Sequence, residues 1–238
     1  MSLPDTRPAR ASILGALRAG HAATLPAPHL APYLGGPYGR SSLGPRVDPA
    51  MLLEPFETAA RASRADVLRA SRANWPQAVR AALKQRGCTR VAIGAASPLQ
   101  PGLDAALRDL QVRRFEQALE QWKGELFDAV DAGITSTEAG IADTGTLVLC
   151  PGAREPRTLS LVPPVHVAVL MASSLYASLP AALRALTPEA DMPTNLLLIS
   201  GPSKTADIQQ TLAYGAHGPK ELVIVLVDDL PSGEVPLP

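Results

Sequence analysis

Residues 158–183, TLSLVPPVHVAVLMASSLYASLPAAL, run without a single Asp, Glu, Lys or Arg. The length alone would suit a membrane span, which needs about 20 mainly apolar residues. The content does not suit one, because Pro163, Pro164, His166, Pro180 and four serines interrupt the run. A buried strand over 165–171 followed by a helix over 175–186 accounts for the same residues. Two more runs, 221–227 (ELVIVLV) and 89–93 (TRVAI), are likewise continuous in Val, Ile and Leu rather than alternating. Strands that read this way are covered on both faces, as in a parallel sheet.

Working outward, helical spacing separates the strand-like runs. Helices are predicted over 51–64, 74–86, 102–110 and 121–130. Asn74 is placed to cap the second of these, with Pro76 in its first turn and Gly87 ending it in a left-handed conformation. Extended segments are predicted at 66–69, 112–115, 145–149 and 195–200, and a further helix from about Thr205. Helices alternating with buried strands make an α/β domain with a mostly parallel sheet, here over 51–238. Ahead of it, 9–19 reads as a short amphipathic helix. Residues 20–50 hold six prolines and five glycines and read as an arm or linker.

The 238 residues carry 22 basic and 22 acidic side chains, a net charge of zero. A globally basic nucleic-acid binder is excluded on that count. With 46% apolar residues the chain has ample core material. The zero hides an asymmetry: residues 1–90 carry 13 basic and 5 acidic side chains, net +8, which leaves −8 on the rest. Either the basic part packs on the acidic body, or it reaches for a partner. The two cysteines, Cys88 and Cys150, lie in separate segments and build no zinc or iron–sulfur motif. With no disulfide framework, no membrane span, and 11–17 too short for a secretory leader, a cytoplasmic location is expected.

Three segments can carry chemistry. Residues 132–149 (AGITSTEAGIADTGTLVL) place hydroxyls and glycines beside Glu138 and Asp143 ahead of an apolar run. That suits a small polar ligand held by Asp143, Thr144 and Gly145, with Glu138 as acid–base group. It equally suits a tight turn whose hydroxyls satisfy the backbone. The Asp143-Thr144-Gly145-Thr146 match to an aspartic-protease loop lacks the second carboxylate that this chemistry needs. Residues 195–207 (NLLLISGPSKTAD) read as strand, loop and helix start, a geometry that binds anions. Gly201, Ser203, Lys204, Thr205 and Asp207 are its candidates, although Ser203 or Thr205 could simply cap the helix. Residues 214–220 (YGAHGPK) offer His217 as a second acid–base candidate, with Gly218 beside it. The four histidines show no metal-binding spacing.

Taken together, EAGIADTGTLVL (138–149), RTLSLVPPVHVAVL (157–170) and ISGPSKTADIQQTLAYGAHGPKELVIVLV (199–227) resemble the C-terminal half of the LUD-domain family. Within it they look most like the LutC/YkgG-type lactate utilization proteins. The resemblance implies a three-layer α/β/α sandwich similar to the NagB/RpiA/CoA-transferase group. It implies a role in oxidising L-lactate to pyruvate beside companion proteins that carry iron–sulfur clusters; on its own cysteine count and histidine spacing this chain is expected to hold no cluster and no metal. Glu138-Ala139-Gly140 also echoes the nucleophile loop of class I CoA transferases, with Ala139 where those enzymes have Asn. That analogy leaves a second reading open, an independent enzyme on a small phosphorylated or CoA-linked substrate.

Overall fold

The computed structural model describes residues 7–20, 47–116, 119–186, 193–206 and 212–231. The long apolar runs meet at its centre. Strands β1 (Asp66–Ser71), β2 (Arg90–Gly94), β3 (Gln111–Phe115), β4 (Ala132–Ser136), β7 (Val165–Met171) and β12 (Glu221–Asp228) form one six-stranded sheet in the order β1-β12-β7-β4-β2-β3. Every pairing in it is parallel. The β7 and β12 runs occupy the middle, where both faces are covered, as their unbroken apolar character requires.

Helices cover both faces, which makes three layers. On one face α3 (Trp75–Gln85) and α4 (Gln100–Ala106) bury Val79, Leu83, Leu103 and Leu107 against Val91, Ile134, Val167 and Val225. On the other, α2 (Pro49–Ala62) buries Leu52, Phe56 and Ala60 against Ala168, Leu170, Ile224 and Leu226. Further along that face, α5 (Leu119–Asp128) and the single turn α6 (Thr158–Leu161) close over Ala92 with Trp122, Leu126 and Leu159. Each such fully buried Leu or Phe side chain contributes roughly 1.5–3 kcal/mol. The amphipathic helix α1 spans Arg7–Gly20. The arm expected over 20–50 falls, from 21 to 46, outside the described residues.

A second layer of short strands sits between β4 and β12 in the chain. β5 (Ala139–Ile141), β6 (Thr146–Leu149), β8 (Leu175–Tyr176) and β9 (Leu197–Ile199) pair in the order β8-β5-β6-β9, and β10 (Lys204–Ala206) pairs antiparallel with β11 (Leu212–Tyr214). This layer departs from the expectations above. The helix expected from 175 begins only at Leu179, as α7 (Leu179–Leu186), because Leu175 and Tyr176 pair with Gly140 and Ile141. The helix expected from Thr205 is strand β10 over its described residues.

Local signals elsewhere hold. Gly87 has φ +67 and ends α3. Asn74 does sit at the N-cap of α3, but its Oδ1 accepts from Ser71 N–H (2.7 Å) rather than from the helix. Part of the charge asymmetry is met within the chain. Arg86 bridges Asp66 and Glu221, Arg90 pairs with Asp131, Arg80 with Asp109 and Arg72 with Asp229. Four arginines of the basic part thus pair with carboxylates of the acidic body.

Candidate functional site

After β2 the chain turns outward to β3, and after β4 it turns the opposite way, to β7. Adjacent parallel strands whose exits diverge leave a crevice beyond their C-terminal ends, the place where open α/β sheets bind ligands. A cleft of about 20 Å3, opening to about 270 Å3 once the solvent at its mouth is counted, lies at the end of β4. Thr135, Ser136 and Glu138 line it from that strand and its exit; Cys150, Glu155, Arg157 and Ser160 line it from the segment after β6.

The 150–157 segment, CPGAREPR, is shaped by Pro151, Gly152 and Pro156 and pinned at one side chain. Glu155 accepts from Ser136 N–H (3.0 Å) and Ser136 Oγ (2.6 Å), and from Ser97 Oγ. One carboxylate thereby ties the exits of β2 and β4 together. The segment lies so close to β2 that a Cβ on Gly94 would run into the Arg154 carbonyl. On the other side, a Cβ on Gly133 would meet the Leu159 carbonyl of α6. Glycine inside a strand marks just such a close backbone approach.

Behind the cleft wall lies His166, completely buried, with Nε2 2.8 Å from Thr135 Oγ1. Burial lowers its pKa from 6.5 to about 4, so the ring is neutral at physiological pH. The Cys150 thiol is pushed up, first by desolvation and then by the charge of Glu138, so it stays protonated and is a poor nucleophile. Chemically the cleft is lined by Arg157, by two carboxylates (Glu138 and the hydrogen-bonded Glu155) and by hydroxyls. Among the described residues no cluster of His, Cys, Asp and Glu could hold a metal ion.

Of the residues singled out from sequence, only Glu138 lines this cleft. Asp143, Thr144 and Gly145 form the turn at the far end of the β5–β6 hairpin. Gly145 has φ +60 and packs under the backbone of Ala59 and Ala60, so its glycine serves the turn and the close contact. Gly201 (φ +126) meets the Ser63 carbonyl just beyond the same helix. The two segments do touch, through Thr144 Oγ1, Thr146 Oγ1 and Ser200 Oγ, each 2.7 Å from the next.

The expected anion loop has another geometry. Ser203 N–H donates to the Pro219 carbonyl (2.8 Å), and Ser203 accepts from Gly215 N–H (2.9 Å). Lys204 and Thr205 lie in β10, opposite Tyr214 and Ala213. No helix N-terminus follows Ser203 directly, and its amide is already committed. Gly218 packs against Ser203 and faces the Leu161 carbonyl, next to the cleft residue Ser160, while His217 is exposed. Asp207 lies outside the described residues. Sequence reasoning missed Glu155, Arg157, Thr135, Ser136 and Ser160. The only signal for the first two was a charged, Pro/Gly-framed segment between two strand-like runs.

The LUD-domain family model matches residues 53–227. The chain belongs to the LUD-domain family. This LUD-domain protein is 43% identical over 178 residues to an uncharacterized protein of Neisseria meningitidis serogroup B, covering 74% of this chain and 76% of that one. It is 36% identical over 108 residues to lactate utilization protein C of Shouchella clausii, covering 44% and 47%. Its identity to lactate utilization protein C of an Exiguobacterium species is 37% over 110 residues, covering 44% and 48%. The aligned part is thus about half the length of those lactate utilization proteins. The fold matches the crystal structure of a DUF162 family protein from Deinococcus radiodurans with a TM-score of 0.54, at 23% identity, over 76% of this chain and 99% of that one. No helix among the described residues is long and apolar enough to cross a membrane.

Proposed function

We propose that this LUD-domain protein serves lactate utilization as a cluster-free subunit of an iron–sulfur-dependent system that oxidises L-lactate to pyruvate. The observation that carries this reading is the cleft at the β2–β4 exits. It brings Arg157 together with two carboxylates, Glu138 and the Glu155 already held by Ser97 and Ser136, around a small open cleft. The names of the lactate utilization protein C relatives support the same substrate. In this reading Arg157 holds the lactate carboxylate, and Glu138 takes the proton of the C2 hydroxyl as carbonyl character develops.

Oxidation also breaks the C2–H bond; its proton would leave to water or to a base of a companion subunit, and the two electrons would pass one at a time to iron–sulfur clusters there. The cysteines of this chain do not fit that task. A cysteine-ligated cluster needs four thiolates, and the chain has only Cys88, buried ahead of β2, and Cys150, exposed at the cleft. Companion iron–sulfur proteins are therefore its expected partners, in the cytoplasm. The alternative substrate, a CoA-linked or phosphorylated molecule, loses support on two counts: the cleft is small, and Lys204 lies in a hairpin instead of a phosphate-binding helix start.

The test is genetic and biochemical together. Deleting the gene is expected to abolish growth on L-lactate but not on pyruvate, and the tagged protein is expected to co-purify with an iron–sulfur protein from lactate-grown cells. Normal lactate growth after deletion, with no such partner, overturns the proposal. Complementation with Glu138→Gln is expected to leave the complex intact and lactate oxidation impaired.

A further inference from the structure

His166 lies on the sheet face beside Gly133 of β4, at the seam between the two apolar clusters of that face, and the proposed function gives it no role. Its Nε2 is bonded to Thr135 Oγ1 at 2.8 Å, and its Nδ1 is buried with no hydrogen-bond partner. A neutral ring carries its single N–H on one nitrogen or the other. With the proton on Nδ1, a buried donor would have no acceptor, and the Thr135 hydroxyl would donate its only proton backwards to Nε2. With the proton on Nε2, the ring's donor is paired and the orphan is a lone pair. The Nε2–H form is also the intrinsically preferred tautomer of a histidine side chain.

The other hydroxyls of the cleft are committed. Ser136 Oγ donates to Glu155 Oε2 (2.6 Å), and Ser160 Oγ donates to the Arg157 carbonyl (3.0 Å). We infer that His166 sets the polarity of the cleft: its Nε2–H donates to Thr135 Oγ1, which frees the Thr135 hydroxyl proton to bind a carboxylate oxygen of a small 2-hydroxy or 2-oxo acid. This rests on the proposed reading of the cleft and adds two residues to it. Thr135 is a ligand-binding residue and His166 a positioning residue that acts through it. Thr135 and Arg157 then form the donor side of the site and Glu138 the acceptor side. A 2-hydroxy acid fits that division, with its carboxylate toward the first pair and its hydroxyl toward the third. Burial keeps the ring neutral down to about pH 4, so the arrangement persists throughout the physiological range.

The experiment uses the full chain labelled with 15N. Long-range proton–nitrogen NMR is expected to show His166 as the Nε2–H tautomer, unchanged between about pH 5.5 and 8. Titration with pyruvate, L-lactate and inorganic phosphate then reads the hydroxyl. Thr135→Val, which keeps the shape, is expected to weaken pyruvate binding about tenfold, the scale of one hydrogen bond to a charged group, while Thr135→Ser retains it. His166→Leu is expected to weaken binding to a similar degree, and His166→Gln, whose amide can still donate, to restore it. Thermal unfolding confirms that each variant is folded. An Nδ1–H tautomer overturns the inference, as does a Thr135→Val chain that binds pyruvate like the parent. Phosphate bound with the same Thr135 dependence, in preference to both acids, overturns the ligand class. If the parent chain binds neither acid, the lactate reading of the cleft falls, and the tautomer still decides the part of His166: Nε2–H upholds it, Nδ1–H overturns it.

Discussion

Strands β4 and β7 lie side by side in the sheet and are equally buried, yet they read nothing alike. β7 is VHVAVLM, buried at every position but its last, and β4 is AGITS, also buried at every position but its last. The difference is therefore one of neighbours, not of depth. β7 packs on aliphatic side chains from both layers. β4 has the Leu159 carbonyl over Gly133 and the cleft over Thr135 and Ser136. The one polar residue of β7, His166, stands opposite Gly133 in the register, on the side where β7 meets β4. Departure from the apolar pattern is thus confined to the seam where the two strands face the cleft, as it would be if local rules yield there to function.

The largest way to break the contrast is to make β4 read like β7. Gly133→Val puts a branched side chain where the Leu159 backbone already sits. It is expected to cost more than about 4 kcal/mol, or to prevent folding, as measured by urea unfolding against the parent. Next comes the polar residue of β7. The unfolded chain binds a proton at His166 as pH falls below 6.5, and the folded ring does not until about 4. Its contribution is fully present above 6.5 and declines between these values, by about 3 kcal/mol in all. His166→Gln is expected to flatten the loss of stability between pH 7 and 4.5 by an amount of that order; equal slopes in both proteins would refute the assignment. Asp131 acts in a lower window. Burial opposes its charge, but N–H donors of Thr89 and Arg90 outweigh that and hold its pKa down, so its contribution fades only below the ordinary carboxylate range.

A smaller effect is expected from Glu155→Ala, which leaves Ser97 and the Ser136 amide without their acceptor. About 1–3 kcal/mol should be lost, together with lactate-dependent growth, because the exits of β2 and β4 are no longer tied. The smallest belongs to the anion loop inferred from sequence. Lys204 is exposed in β10, and Lys204→Ala should change stability by less than about 0.5 kcal/mol and leave lactate growth untouched. A growth defect there would move the site away from the cleft.

The same contrast shows what the sequence makes legible. β2, β7 and β12 are evident because aliphatic strands buried on two faces form unbroken runs. β4 is invisible to that test, although it lies at the centre of the sheet, because Gly133, Thr135 and Ser136 replace the aliphatics where the Leu159 backbone and the cleft approach. Strands β5, β8, β10 and β11 span two or three residues each, too short for any period to show. Ser203 looked like a cap because the commitment of its amide to Pro219 is a contact across the chain. Glu138 was found because it sits among hydroxyls and glycines. Glu155 was not, because what marks it are Ser136 and Ser97, which lie 19 and 58 residues away.

The strand order has a consequence for how the chain is made. β12 is inserted between β1 and β7, so the sheet cannot close until residues 221–228 have left the ribosome. At ordinary elongation rates β1 waits roughly 8–30 seconds for its partner. Throughout that interval the nascent chain exposes the open edge of the apolar β7 beside an unpaired β1, the kind of edge that invites pairing between chains. Expression is therefore expected to depend on chaperone supply more steeply than the stability of the finished protein suggests, and truncation within 221–228 to give aggregation rather than a smaller folded body.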